Sequence, residues 1–186
     1  MHGRTVSVTS NSVAADIVRL RDDSRALVDD VAAEVIDSLH VFADEAEVTF
    51  SLAREPEALV ALPAATLCRC VLALVDNALV HSPAGGEIHL EVSVTRAGKK
   101  RSASLAVTDQ GAGIQGIDPA RIFDRFAHAA PRPDGPAARQ GFGIGLALVK
   151  DVATRRGGDV TVEASSRAGT TLVLTLPLRL GENTAR

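Results

Sequence analysis

The stretch Leu67-Cys68-Arg69-Cys70-Val71-Leu72-Ala73-Leu74-Val75-Asp76-Asn77-Ala78-Leu79 sets Leu67, Cys70, Val71, Leu74, Val75, Ala78 and Leu79 at the i, i+3, i+4, i+7 spacing of one helix face. A helix with so apolar a face must bury it against a second layer. The sequence downstream supplies that layer. After Ser82-Pro83-Ala84-Gly85-Gly86 ends the helix, Ile88, Leu90, Val92 and Val94 alternate with Glu87, His89, Glu91 and Ser93, the pattern of a half-buried strand. Leu105 and Val107 belong to a further strand beyond the Ala97–Lys100 turn, and it runs straight into Asp109-Gln110-Gly111-Ala112-Gly113. Upstream, Leu27, Val31, Val35 and Leu39 recur every four residues and predict a first helix over about 25–40. Glu47 to Leu52 reads as a short strand, and Pro56 and Pro63 frame a loop. Leu146, Val149 and Ala153 give a third helix closed by Gly157-Gly158, followed by strands at Val160/Val162 and Leu172/Leu174/Leu176. The expected fold is α+β: a two-layer α/β sandwich with a mixed, mostly antiparallel sheet and its helices on one face.

With 186 residues and 46% apolar content the chain supports one domain with a full core. Residues 1–22 lack periodicity and read as a tail or linker stub, 23–180 as the domain, and 181–186 as a C-terminal tail. The formal charge of −3 comes from mixed signs with no basic block, which argues against a nucleic-acid partner. Apolar runs such as Val71–Val75 are interrupted well short of the roughly 20 residues of a membrane span, so no membrane contact is expected. Met1 to Asn11 is polar, without the apolar core of a secretory signal, which points to a cytoplasmic location. Cys68 and Cys70, two apart on a helix, offer a metal no second pair and read as core thiols.

Four motifs follow in order: Asp76-Asn77-Ala78 on the helix, Asp109-x-Gly111-x-Gly113 after a strand, Ile122-Phe123-Asp124-Arg125-Phe126, and Gly141-Phe142-Gly143-Ile144-Gly145-Leu146 opening a helix. This order resembles the ATPase superfamily shared by sensor histidine kinases, DNA gyrase, the heat-shock chaperone ATPases and the mismatch-repair ATPases. The Phe box, the glycine box and the ending from Gly169 to Pro177 resemble the histidine kinases in particular. The resemblance implies a catalytic domain that binds ATP and Mg2+, with Asn77 as the magnesium ligand and Asp109 reading adenine. The implied ATP-binding set is Asn77, His81, Asp109, Gly111, Gly113, Phe123, Phe126, Gly141, Gly143, Gly145, Leu146 and Thr171. Its implied partners are a histidine-bearing dimerisation domain or chain and, through it, a response regulator.

The residue types suit those roles. Asn77 offers a neutral oxygen on a rigid helix, enough for a magnesium ion that keeps most of its waters and binds substrate phosphates. A carboxylate at Asp109 accepts the exocyclic amino hydrogen of adenine and rejects guanine, which carries an oxygen there. Gly111 and Gly113 allow close backbone approach. Gly141, Gly143 and Gly145 precede a helix whose free N–H groups favour phosphate oxygens. The Pro- and Gly-rich segment 115–140 is too irregular for core and reads as an ATP lid. Phe123 and Phe126 read either as core residues at helical spacing or, as in the family, as lid anchors. His81, one turn beyond Asn77, reads either as a surface or capping histidine or as a ring against adenine.

Two positions depart from the family. Ala73 stands where relatives place an acidic or amide residue four before the asparagine, and Val80 where they often place Lys or Arg. A methyl can neither take a proton nor orient water, so Ala73→Glu is expected to raise hydrolysis. None of His2, His40, His81, His89 and His128 has the acidic neighbour of a phosphate-accepting histidine, so no catalytic residue is assigned within the chain. The leading reading is a protein-histidine kinase domain that donates the γ-phosphoryl group to a histidine elsewhere. The alternative is a stand-alone ATP-binding regulatory module, anti-sigma-factor-like or non-catalytic, that acts by holding a protein partner.

Overall fold

A computed structural model describes residues 25–55, 58–97, 100–124 and 145–178. The expected tails, the residues Phe126, Gly141 and Gly143, and most of the 115–140 segment lie outside them. In chain order the described elements are β1 (Ala26–Leu27), α1 (Val28–Glu45), β2 (Thr49–Arg54), β3 (Leu59–Val60), α2 (Ala64–His81), β4 (Glu87–Ala97) and β5 (Lys100–Asp109). A 3₁₀ turn at Pro119–Phe123, α3 (Gly145–Arg155), β6 (Asp159–Ser166) and β7 (Gly169–Pro177) complete them.

Helix α1 starts later and ends later than the expected 25–40. Ala26 and Leu27 pair antiparallel with Val60 and Leu59, and the Val28 amide donates to the Ala58 carbonyl, so the first apolar residues are taken up by a two-stranded ribbon. The buried stripe Val28, Val31, Val35, Leu39 then runs one turn further to Ala43. Glu47, at φ 55, turns the chain out in the left-handed region that glycine more often fills after a helix. For that reason the next strand begins at Thr49 rather than at Glu47.

The main sheet has the order β2-β4-β5-β7-β6. β2 and β4 are parallel, with Phe50 opposite Ile88 and Leu52 opposite Leu90, while β4/β5, β5/β7 and β6/β7 are antiparallel. A parallel neighbour requires a crossover, and α2 supplies it between β2 and β4. Ile88, Leu90, Val92, Leu105, Val107, Leu172, Leu174 and Leu176 form the buried inner face, covered by Val35 and Leu39 of α1, Val71, Leu74 and Val75 of α2, and Val149 and Ala153 of α3. The outer face carries hydroxyl ladders instead, with Ser104 bonded to Thr175 and Thr108 to Thr171. This is a two-layer sandwich with its helices on one face.

One expectation needs correcting. Helix α2 has the length and, at a mean hydropathy of 1.4, the apolar character of a membrane span. Its buried side chains, from Leu67 to Leu79, belong to the protein core. Cys68 and Cys70 are among them, both free thiols.

Candidate functional site

The site is organised along one line of α2. Ala73, Asn77 and His81 follow at i, i+4 and i+8 and share one side of the helix. At the first of these, a Cβ built on Gly145 would lie 3.2 Å from the Ala73 methyl, so the first residue of α3 sits directly against the helix. At the last, a Cβ on Gly111 would come within 2.5 Å of the His81 carbonyl oxygen, and no side chain fits there. Half-buried Asn77 lies between these two contacts. Glycine at 111 and 145 thus brings the loop after β5 and the first residue of α3 onto opposite ends of a single helical stretch.

Asp109 ends β5 on the inner face and is 3% exposed. Strand parity puts it there, since Ala103, Leu105 and Val107 precede it on the same side. Its Oδ1 accepts from the Gly111 amide at 2.7 Å and from the Thr170 amide at 3.3 Å. Burial pushes the Asp109 carboxyl above its ordinary value, opposed by those two bonds and by the nearby His81. The result is a desolvated acceptor whose orientation is fixed by backbone. Gly169, at φ 140, makes the approach possible, because a Cβ there would lie 1.9 Å from the Asp109 carbonyl oxygen.

The loop beyond Asp109 is held by β6. Gly113, at φ 75, passes so close that a Cβ would meet the Ser166 carbonyl oxygen at 2.1 Å, and the Ile114 amide donates to Ser165 Oγ at 2.8 Å. Part of the segment expected to be an irregular lid is regular. Asp118 caps the turn Pro119–Phe123 by accepting from the Ala120 amide, with proline at the tolerated start position. Phe123 is 8% exposed and packs into the core, which satisfies the core reading of that residue. Leu146 is half-buried beside Ala147 at the start of α3.

Thr171 is not brought to Asp109. It stands opposite Thr108 on the outer face, with the two hydroxyls 3.0 Å apart, whereas Thr170 is the cross-strand partner of Asp109 and is 7% exposed. The signal was in the sequence: Leu172, Leu174 and Leu176 put even positions of β7 inward, and Thr170 shares their parity. Ser165 also serves this region without a sequence motif to mark it, and Lys150 serves it too, closing the glycine-box stretch begun at Gly141 but given no role by the sequence reading. Lys150 Nζ donates to Asp159 Oδ1 at 2.5 Å, a bond that holds the Asp159 carboxyl below its ordinary value.

Residues 63–180 match the family described as histidine kinase-, DNA gyrase B- and HSP90-like ATPase. The sensor-like histidine kinase SenX3 of Mycobacterium tuberculosis (strain ATCC 25618 / H37Rv) is 37% identical over 153 residues, covering 81% of this chain and 35% of the relative. The signal transduction histidine-protein kinase/phosphatase MprB of Mycobacterium sp. (strain KMS) is 38% identical over 120 residues, 62% of this chain and 22% of the relative. The chain therefore spans little more than a third of the length of SenX3. Among solved structures, that of the mycobacterial sensor histidine kinase MprB superposes with a TM-score of 0.66 at 28% identity, over 83% of this chain and 97% of that one. The ShkA structure, in complex with AMPPNP, shares the fold at a TM-score of 0.67 and 22% identity, over 90% of this chain and 34% of that one. SenX3 and MprB are histidine kinases by name, which favours the kinase reading over the stand-alone regulatory module. Taken with a buried acceptor at the end of β5 and glycine contacts at both ends of the Asn77 stretch, they show that the chain belongs to the histidine kinase-, DNA gyrase B- and HSP90-like ATPase family, as an ATP-binding catalytic domain of the sensor histidine kinase kind.

Proposed function

We propose that the chain holds ATP with magnesium and donates the γ-phosphoryl group to a histidine on a separate dimerisation domain or chain, which hands it to a response regulator in the cytoplasm. The observation that carries this reading is the α2 line from Ala73 to His81, with Gly145 against one end and Gly111 against the other. Eight residues of helix span about 12 Å, which separates a base-reading end from a phosphate-reading end. Asp109 accepts from the adenine amino group, with Thr170 rather than Thr171 beside it. The amides opening α3 receive phosphate oxygens.

Asn77 fits magnesium by donor chemistry: it is a half-buried neutral amide on a rigid helix, and one or two such oxygens suffice for an ion that keeps waters and phosphate ligands. Magnesium bound there neutralises phosphate charge. The rest of the task is positioning. As the acceptor imidazole nitrogen bonds to the γ-phosphorus, the bond to the β,γ-bridging oxygen breaks and ADP leaves. With a methyl at Ala73, the phosphate-reading end of this side of α2 offers water no general base, since His81 stands at the other end, and this favours transfer over hydrolysis.

The test is to mix the chain with the histidine-bearing hairpin of a SenX3-type kinase and γ-labelled ATP. Label is expected on the hairpin histidine and is expected to vanish with Asn77→Ala, while the melting temperature stays unchanged. Intact ATP binding without label on the hairpin would sink the transfer step. Absence of ATP binding would sink the whole reading.

A further inference from the structure

Lys150 lies on α3, and its ammonium reaches the junction between the 3₁₀ turn and β6. It donates to Asp159 Oδ1 at 2.5 Å and to the Val160 carbonyl at 3.3 Å, and stands 5.5 Å from the centroid of the Phe123 ring. Two of its three donors are met by these oxygens. The carboxylate is itself fixed, because Asp159 Oδ1 also accepts from the Val160 amide at 2.8 Å. A cation placed over an aromatic face is attracted by the ring quadrupole within about 6 Å. Lys150 therefore joins a strand, a helix and the buried ring that ends the turn.

The opposite end of β6 performs a matching task. Ser165 Oγ and the Ser166 carbonyl receive the chain at Gly113 and Ile114, directly after the Asp109 loop. One strand thus fixes both ends of the segment from Gly113 to Phe123: the near end by backbone and a hydroxyl, the far end through Lys150. We propose that Lys150 is a positioning residue for nucleotide binding, fixing Phe123 against β6 and so setting the path of the segment that leads away from Asp109. The effect on nucleotide rests on the ATP reading above, while the mechanical role of Lys150 does not.

An ion pair whose side chains are 40% and 53% exposed contributes little by itself, so a charge-only account predicts almost no effect of removing it. The cation–ring contact predicts a measurable one. Three single variants, Lys150→Met, Lys150→Arg and Phe123→Leu, and the Met/Leu double variant would be compared with wild type. One readout is amide exchange at Ala120–Asp124 in the nucleotide-free protein; the other is affinity for a non-hydrolysable ATP analogue with magnesium. Lys150→Met is expected to speed exchange there about two- to fivefold, with β5 and β7 unchanged, and to weaken analogue binding by a similar factor. Lys150→Arg should behave as wild type, and Lys150→Met should add nothing in the Phe123→Leu background. Unchanged exchange at Ala120–Asp124 in Lys150→Met, or losses that simply add in the double variant, would overturn the Lys150–Phe123 link. Faster exchange with unchanged affinity would overturn the positioning role. A wild type that does not bind the analogue fails the ATP reading, and the exchange result then still decides whether Lys150 holds the turn.

Discussion

A carboxylate buried as deeply as Asp109 is costly in its charged form, and burial raises its proton affinity while the Gly111 and Thr170 amides only partly offset this. Asn at this position keeps an oxygen for both amides and removes the charge. Asp109→Asn is therefore expected to be at least as stable as wild type in the absence of nucleotide. A group whose folded pKa is raised contributes stability that is full below its unfolded value and is lost as pH rises through the folded one. The advantage of the variant should accordingly be absent below about pH 4, grow as pH rises, and level off above the raised value. Binding should move the other way, because the variant presents a donor to the adenine amino group. A loss of roughly ten- to hundredfold in ATP affinity is expected for a charged hydrogen bond. Melting curves across pH and titration with ATP check both halves, and an apo protein clearly destabilised by the change would show that the charge helps the fold. Asp109 was legible because a strand of set parity runs into a glycine loop. Thr170 was legible by the same rule, yet the motif drew attention to its neighbour Thr171, which one step of strand alternation puts on the other face.

Helix α2 and strands β4, β5 and β7 follow from periodicity because each buries one face, so the pattern and the element have the same cause. β1 and β3 escape such a reading, since two-residue strands have no period, and they shift the start of α1 by taking Ala26 and Leu27. Contact between helices is also invisible to a periodic pattern. In sequence Ala73 reads as the loss of a catalytic side chain, but the structure gives its methyl a packing partner in Gly145. A larger side chain at 73 must displace the first turn of α3 or turn out past it. Ala73→Glu is thus expected to lower stability by about 1–3 kcal/mol, the usual cost of overpacking, whatever it does to hydrolysis. Denaturant midpoints measure this. A variant as stable as wild type would show that the side chain turns out past α3 or that the helices part at no cost, and the expected gain in hydrolysis could then be tested without a folding defect.

The strand order β2-β4-β5-β7-β6 could not be read from the chain, because pairings between distant segments are set by the joint burial of all of them. That joint burial has a consequence for chemistry. Cys68 and Cys70 are each 1% exposed, inside the layer shared by the sheet and α2. Burial raises the Cys68 thiol, assisted by Glu34 and opposed by Arg69, and burial with Cys68 nearby pushes Cys70 up to about 12. Thiolate is the reactive form, so neither sulfur should be alkylated in the closed molecule. Reaction at neutral pH must await an opening of the core, and its rate then follows the population of the open state when reclosing outpaces alkylation. A ligand that binds only the folded form lowers that population by mass action. At 100 times its dissociation constant the gain is about 2.7 kcal/mol, which corresponds to roughly hundredfold slower labelling. An ATP analogue with magnesium is therefore expected to protect both cysteines together, although both are buried in the core and Cys68 lies on the side of α2 opposite Asn77, and Asn77→Ala should remove the protection. Labelling that is fast in native buffer, or that the analogue leaves unchanged at saturation, would show that the thiols are reached by local motion, or that no nucleotide is bound by the fold as a whole.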